Sequence, residues 1–335
     1  MKPFELVNAS SLSSALGALG QAKGAVAKAG GVDLLDLMKE GISAPPRLIN
    51  LRTIAGLDKI AAASGEQGAV LGPLATLAQL AESKALAGVP AYAALAEAAA
   101  AAATPQIRNM ATLAGNLCQR PRCWYFRDAD YHCLRKGGNK CFAHSGDNAF
   151  HAIFENDKCA VVHPSAAAVA LSALGAKLEL QRAGKDGKVA TRELAMADFF
   201  VAPSKDVQRE NVLAAGELIS AVKLPAPQAG QRSAYIKQKQ KQSFDWPLGE
   251  VAVSLTVTAG KIAAASVVLG SVAPIPWRAK KAEAALVGKA ADEALIKAAA
   301  EAALAGADPL DDNGYKVPLV KALVRRALTQ ALVSK

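Results

Sequence analysis

Short apolar runs and helix-like periods take turns along the first half of the chain. Residues 4–7 predict a strand, and the apolar residues between Leu12 and Leu19 recur at helical spacing behind a capping serine, Ser10 or Ser11. Further strands are predicted at 25–27, 47–51, 69–72 and 177–181, and further helices at 34–38, 74–84, 91–103 and 167–174. This order of elements predicts an α/β or α+β beginning.

The second half follows a different pattern. A polar stretch at 225–232 that contains proline and glycine is the best candidate for a domain boundary. Beyond it, strands are predicted at 233–237, 250–258 and 261–269, and helices at 279–286, 291–305 and 318–333. Strands followed by helices predict an α+β domain.

Residues 107–159 show no sustained period. They are rich in Gly, Asn, Asp, Lys and Arg, and we expect a loop that something other than a hydrophobic core holds in place. All five cysteines of the chain fall within this stretch, at Cys118, Cys123, Cys133, Cys141 and Cys159. Such clustering in a long chain argues against a disulfide framework and favours a metal or cluster site.

Composition excludes several classes of protein. With 335 residues, 52% hydrophobic and 20% charged, the chain is globular and large enough for two or three domains. The net charge of +10 is spread along the chain, so nucleic-acid binding is not expected. No apolar run is long enough for a membrane span, and residues 1–7 lack the features of a secretory signal. We expect a cytoplasmic protein, or a periplasmic one if a partner with a signal carries it out.

Two glycine-bearing turns are candidates for binding an anion. Gly30 and Gly31 stand between a strand and a helical turn, where backbone N–H groups can converge on a pyrophosphate. The stretch 108–116 offers backbone donors, a hydroxyl and two amides just before the first cysteine. Read alone, each turn could also be purely structural.

Taken together, the turns and the cysteines resemble the flavin-binding medium subunit of the molybdenum hydroxylases, the xanthine dehydrogenase and carbon monoxide dehydrogenase family. The similar segments are 29–34, 106–109, 112–117, 163–165, 235–252 and 270–278. The resemblance implies an α+β chain: a PCMH-type FAD-binding fold of two subdomains, followed by a C-terminal domain like that of the carbon monoxide dehydrogenase flavoprotein. The implied domains are residues 1–224, with subdomains at about 1–56 and 57–224 and a cluster-binding loop at 118–159, and residues 225–335.

The resemblance also implies which residues hold FAD. They are Lys28, Ala29, Gly30, Gly31, Val32, Asp33, Leu34, Arg108, Asn109, Thr112, Ala114, Gly115, Asn116, His163, Ser165 and Lys237. Four positions depart from the family's usual pattern: Val32 replaces a threonine, Ala114 a glycine, Ala166 an aspartate and Lys241 an arginine. The change at Ala166 puts in doubt a side-chain contact to the flavin from that position.

The cysteine region resembles the loop that carries a 4Fe-4S cluster in a subset of the family, the aldehyde oxidoreductases and 4-hydroxybenzoyl-CoA reductase. The resemblance assigns Cys123, Cys133, Cys141 and Cys159 as ligands and leaves Cys118 as a spare. Between residues 118 and 141 there are six basic residues against two acidic ones, which would offset the cluster's negative charge. A four-cysteine zinc site and unligated thiols are the alternatives, although zinc sites favour short paired spacings that are absent here. The four histidines could compete as ligands: His132, His144, His151 and His163.

The implied function is electron transfer in a heterotrimeric oxidoreductase of the aldehyde oxidoreductase or xanthine dehydrogenase type. FAD would take electrons from iron-sulfur centres and pass them to an external acceptor, and the implied partners are a small 2Fe-2S subunit and a large molybdenum-cofactor subunit. No residue of this chain is expected to do acid–base chemistry on the organic substrate. The alternatives are a non-catalytic zinc-bound scaffold that has lost flavin and a stand-alone FAD oxidase.

Overall fold

Within the residues that the structure describes, three β-sheets with helices packed on them make up the fold. The structure is a computed structural model, and it describes residues 1–184 and 188–333. Its mixture of helices and mainly antiparallel sheets confirms the predicted α+β class. Within the described residues, no helix is long and apolar enough to cross a membrane.

The first sheet is small and entirely parallel. Its elements are β1 (Glu5–Asn8), α1 (Leu12–Gln21), β2 (Ala25–Lys28), α2 (Val32–Lys39) and β3 (Arg47–Asn50). β3 lies between β1 and β2, as expected when helices connect parallel strands. Ser11 caps α1, and its hydroxyl and that of Ser14 each accept the other residue's backbone N–H. Of the two serines predicted as caps of this helix, Ser11 is therefore the one that caps it.

The second sheet has five strands in the order β4-β5-β8-β6-β7. The elements of this part are β4 (Ile60–Ala61), β5 (Val70–Leu71), α3 (Leu77–Glu82), α4 (Lys84–Ala87), α5 (Ala93–Ala101), α6 (Pro105–Met110), α7 (Leu113–Leu117), α8 (Trp124–Arg127), α9 (Ala166–Ala173), β6 (Lys177–Ala183), β7 (Val189–Ala195) and β8 (Glu217–Lys223).

Several predictions for this part were wrong. The predicted helix at 74–84 is interrupted at Ser83, whose extended backbone ends α3 and begins α4. The predicted loop beginning at residue 107 contains α6 and α7, because Thr104 and Thr112 each cap a new helix. Pro105 therefore does not only end the preceding helix: it occupies the first turn of the next one, where its missing N–H costs nothing.

The third sheet is an antiparallel meander in the order β12-β11-β10-β9, covered by three helices. Its elements are β9 (Gln231–Gln238), β10 (Gly249–Thr258), β11 (Lys261–Gly270), β12 (Trp277–Arg278), α10 (Lys280–Leu286), α11 (Glu293–Ala303) and α12 (Lys316–Val333). The predicted strands and helices of this half are all present, with ends shifted by a few residues. The division at residues 224 and 225 stays a prediction, although the second sheet ends with β8 and the third begins with β9.

Alanine-rich helices join the second sheet to the third. α5 and α9 lie in one hydrophobic cluster that runs from Leu71 through Leu171 to Ala252 and Val268. Small side chains allow the close approach of a helix to a sheet, so the interior can be filled without many aromatic rings. The third sheet thereby forms one wall of the space between the N-terminal and C-terminal parts of the chain.

Glu97 on α5 also joins the second and third sheets, through hydrogen bonds. Its carboxylate accepts the backbone N–H of Tyr235 at 2.6 Å and the side-chain amide of Gln330 at 2.8 Å. One side chain therefore holds the first strand and the last helix of the C-terminal part against α5.

We expect Glu97→Ala to lower the free energy of unfolding by about 1–3 kcal/mol, because it leaves a backbone N–H without its acceptor. Thermal and denaturant unfolding would measure the change. The exposed Glu66 provides the control, and Glu66→Ala should stay within about 0.5 kcal/mol of the unmodified protein. Equal effects of the two substitutions would contradict the assigned role of Glu97.

Candidate functional site

A cleft with a volume of about 680 Å³ opens between the first sheet with its helix α2, the segment at residues 102–122 and the third sheet. The turn before α2 forms one side, and the segment from residue 102 to residue 122 forms the base. β9, β10 and the loop between them form the opposite side. Its size is in the range of cofactor and ligand sites.

Gly30 and Gly31 are both required at the turn that leads into α2. Gly31 caps the helix with φ +80°, a left-handed conformation that favours glycine. At Gly30, a Cβ atom would lie 2.0 Å from the carbonyl oxygen of Met110, so only glycine fits. The two glycine-bearing turns predicted from the sequence therefore touch each other.

The second turn is fixed by hydroxyl groups. The Thr112 hydroxyl accepts the N–H of Gly115 at 3.3 Å and caps α7. The Ser165 hydroxyl accepts the N–H of Ala168 at 3.0 Å, which caps α9, and donates to the side-chain oxygen of Asn116 at 2.6 Å. Ser165 thus supports Asn116 from behind the cleft.

Most of the residues predicted to hold the cofactor lie on the cleft. These are Ala29, Gly30, Gly31, Val32, Asp33, Leu34, Thr112, Gly115, Asn116 and Lys237. Six others do not line it: Lys28, Arg108, Asn109, Ala114, His163 and Ser165. The structure gives several of these six another task.

Arg108 donates to the carbonyl oxygens of Ala102 and Ala103 at 3.0 and 2.9 Å, so its charge stabilises the end of α5. Lys28 approaches the side-chain oxygen of Asn50 at 3.5 Å. Burial, followed by the charge of Arg135, lowers the pKa of His163 to about 3, and the ring is therefore neutral.

The wall formed by β9 and β10 contains features that the sequence did not single out. Glu250 lines the cleft although the residue is only 1% exposed. In the loop before β10, Phe244 and Trp246 are exposed at the cleft, and the guanidinium of Arg122 lies 4.9 Å from the Trp246 ring centre. The available signal for Glu250 was a single acidic residue at the start of an apolar strand.

Four of the five cysteines converge on a second cavity. Cys123, Cys133, Cys141 and Cys159 line it together, whereas Cys118 lies on the cleft. Arg135 and His151 complete the polar lining. The structure thus brings together the four cysteines that the resemblance named as ligands and sets the fifth apart.

Two nitrogen atoms face the sulfurs of this cavity. The Nε of Arg135 donates to Sγ of Cys159 at 3.4 Å, and Nε2 of His151 lies 3.2 Å from Sγ of Cys123. Burial, followed by the charge of Lys316, lowers the pKa of His151 to about 4, so the imidazole is neutral near pH 7. A hydrogen bond from Cys141, together with Arg135, lowers the pKa of Cys159 to about 6.

Within the ranges 1–184 and 188–333, no three His, Cys, Asp or Glu side chains form a site for a single metal ion.

Charged residues bind the cysteine loop to the rest of the protein. Asp33, in the first turn of α2, accepts the backbone N–H of Arg120 at 2.9 Å and pairs with Arg122 at 2.6 Å and Arg127 at 2.7 Å. On the other side, Glu210 pairs with Arg135 at 2.8 Å and with Arg120 at 3.0 Å. A carboxylate in the first turn of the helix after Gly31 therefore positions the start of the cysteine loop.

Comparison with known proteins gives two family matches. Residues 2–227 match the family described as "FAD binding domain in molybdopterin dehydrogenase", and residues 234–331 match "CO dehydrogenase flavoprotein C-terminal domain".

Individual relatives agree with these matches. The aldehyde oxidoreductase FAD-binding subunit PaoB of Escherichia coli is 36% identical over 306 residues, which are 90% of each chain. The carbon monoxide dehydrogenase medium chain of Afipia carboxidovorans is 31% identical over 90% of this chain and 87% of its own. Among solved structures, carbon monoxide dehydrogenase from Hydrogenophaga pseudoflava superimposes with a TM-score of 0.74 at 28% identity and 99% coverage of both chains.

We expect Gly30→Ala to abolish flavin binding, because the new methyl group would overlap the Met110 carbonyl and push the two turns apart. The flavin absorbance per protein chain measures this. Gly17 is the matched control, since a Cβ at that position meets no atom within 4 Å. Gly17→Ala should retain full flavin, and a fully loaded Gly30→Ala protein would contradict the prediction.

Proposed function

The chain belongs to the flavoprotein family of the FAD binding domain in molybdopterin dehydrogenase, and from this premise we propose that it is the medium subunit of an aldehyde-oxidising molybdenum hydroxylase and carries a 4Fe-4S cluster in its cysteine loop. It binds FAD and acts as an electron-transfer subunit of an oxidoreductase. The cluster, the class of substrate and the partner subunits form the proposed part.

The cleft supplies what an extended dinucleotide needs. The turn at Gly30 and Gly31 presents backbone N–H groups and the start of α2, which suit a pyrophosphate. Val32 removes a hydroxyl but leaves these backbone donors, and Ala166 contributes only a methyl group to the cleft. When bound, FAD accepts two electrons and releases them to an external acceptor. The chain's own residues bind and orient it.

The convergence of four cysteines on one cavity is the observation that carries the cluster proposal. Cys123, Cys133, Cys141 and Cys159 supply the four thiolates that a 4Fe-4S cluster requires, and the buried Arg135 offsets their charge. When bound, such a cluster supplies a one-electron carrier. Arg135 and His151 would orient the ligand sulfurs and exclude water, and no proton transfer is needed from either.

Similarity to PaoB favours an aldehyde as the substrate of the assembled enzyme, because that protein is an aldehyde oxidoreductase subunit. The substrate would bind to a large molybdenum-cofactor subunit, and a small 2Fe-2S subunit would deliver electrons to this chain. Co-purification of the three subunits, with aldehyde-dependent reduction of the flavin, tests the assembly. Reduction by carbon monoxide but not by aldehydes would overturn the substrate class.

The ligand assignment predicts opposite results for two cysteines. Cys141→Ser should remove the iron, because it takes one thiolate from the cavity, whereas Cys118→Ser should leave the iron content unchanged. Iron analysis and the cluster's absorbance shoulder measure the outcome in the flavin-loaded protein. Zinc in place of iron in the unmodified protein, or the reverse behaviour of the two variants, would refute the assignment.

Arg135 provides a test of how the loop tunes the cluster. We expect Arg135→Gln to lower the cluster's midpoint potential by about 50 mV, since a hydrogen bond to a charged group is worth about 1.5–3 kcal/mol and only part of it differs between oxidation states. Redox titration followed by electron paramagnetic resonance measures the shift. Exposed Arg182 is the control, and Arg182→Gln should leave the potential unchanged.

A further inference from the structure

We propose that Glu250 is the proton-holding residue of the cleft: its carboxyl takes up one proton from water when the bound flavin gains two electrons, and returns it when the electrons leave. The proposal rests on FAD binding in the cleft and does not depend on the cluster. It concerns an acidic residue that the electron-transfer function itself does not require.

The position of Glu250 is unusual for a charged residue. It lies on β10, is only 1% exposed and yet lines the cleft. Its Oε1 accepts a hydrogen bond from the hydroxyl of Ser271 at 3.2 Å. In the part of the chain that the structure describes, Oε2 is buried and has no hydrogen-bond partner. An unpartnered buried carboxylate oxygen is costly, and a proton bound to it would remove its negative charge.

The sheet reserves space for this carboxyl group. Gly270 on β11 is the cross-strand neighbour of Glu250. A Cβ atom on Gly270 would lie 2.7 Å from Oε2 of Glu250 and 2.6 Å from Cγ2 of Val169. Any larger residue would therefore push the carboxyl out of its place. The glycine keeps the group at the wall of the cleft.

Several groups around Glu250 affect the protonation of its carboxyl group. Lys237 on β9 is its other cross-strand neighbour, Lys316 on α12 lies behind it, and the Tyr235 hydroxyl is buried nearby. Burial raises the pKa of Glu250, whereas Lys237 and then the neighbouring hydroxyl groups of Tyr235 and Ser271 act to lower it. Negative charge added to the cleft would therefore raise the pKa of this carboxyl group and favour its protonated form.

Lys316 is the second basic residue near the Glu250 carboxyl group. Its ammonium group is fully buried and donates to the carbonyl oxygens of Ser271 and Phe150 at 2.7 and 2.9 Å. Burial lowers the pKa of Lys316 to about 7, so this residue is only partly charged near neutral pH. Glu250 therefore lacks a second fully charged partner that would hold it as a carboxylate.

When bound, the flavin would accept two electrons and one proton from water, with that proton bonding to its ring. The carboxylate of Glu250 would take a second proton from water, which forms an O–H bond at Oε2. When the external acceptor takes both electrons, both bonds break and both protons return to water. Glu250 thereby limits the charge that builds up in a buried site.

The test is a spectroelectrochemical titration of FAD in the assembled complex between about pH 6 and pH 9, above the ordinary pKa of a glutamate. Two protons per two electrons give about 59 mV per pH unit, and one proton gives about 30 mV. We expect the steeper slope in the unmodified complex over a part of this range and the shallower slope there in Glu250→Gln. Glu283→Gln, at another buried glutamate that pairs with Arg278, should behave like the unmodified complex.

Infrared difference spectra supply a second readout if Glu250→Gln fails to load flavin. Reduction of the unmodified complex should produce the C=O band of a protonated carboxyl group, and the Glu283→Gln complex should produce it too. Absence of this band, or equal potential slopes in the unmodified and Glu250→Gln complexes, would overturn the proposal. Failure of the cluster proposal would appear separately, as missing iron with the flavin slopes unaffected.

Discussion

The carboxylate of Asp33 is the interaction on which the arrangement of the two sites depends. It lies in the first turn of the helix that follows the glycine turn and binds Arg120, Arg122 and Arg127 of the cysteine loop. Removing one partner of such a partly buried network leaves charges uncompensated, which costs several kcal/mol. The loop therefore cannot move without disturbing the turn that faces the cofactor cleft, and the two sites form one structural unit.

A second buried charged side chain, Arg135, is also paired. Arg135 would be unstable in the interior by itself, but Glu210 pairs with it on one side and Cys159 accepts its N–H on the other. Glu250 is the exception, because its neighbours stop short of neutralising it. The paired Arg135 can keep its charge beside the cysteines, whereas the incompletely paired Glu250 can change its charge beside the cofactor cleft.

Sequence patterns predicted the parts of the fold whose periodicity is strong. The C-terminal strands and helices, a serine cap at residue 10 or 11 and the glycine turn were all predictable, because each depends on neighbouring residues. β7 and β8 were missed, since β7 is largely exposed and its polar sequence lacks alternation. The helix ending at Met110 was missed because residues 107–159 were judged as one aperiodic stretch.

The site was predictable only in part, for a physical reason. The resemblance named the residues of the two turns, but the cleft's far wall comes from strands more than a hundred residues later. Phe244, Trp246 and Glu250 line the same cleft as Gly30 only because of how the third sheet packs. Local sequence patterns do not encode this packing. The burial that gives Glu250 its chemistry is likewise a property of tertiary structure.

The placement of Lys237 and Glu250 on the third sheet has a consequence for how the protein is made. During synthesis, the glycine turns emerge long before β9 and β10, and Lys316 behind Glu250 belongs to the last helix. The cleft consequently has no far wall until β9 and β10 have left the ribosome and α5 has packed against the C-terminal sheet. Cofactor capture is thus a late event in maturation, and a chain truncated before α12 would lose the backing of its flavin site while keeping both glycine turns.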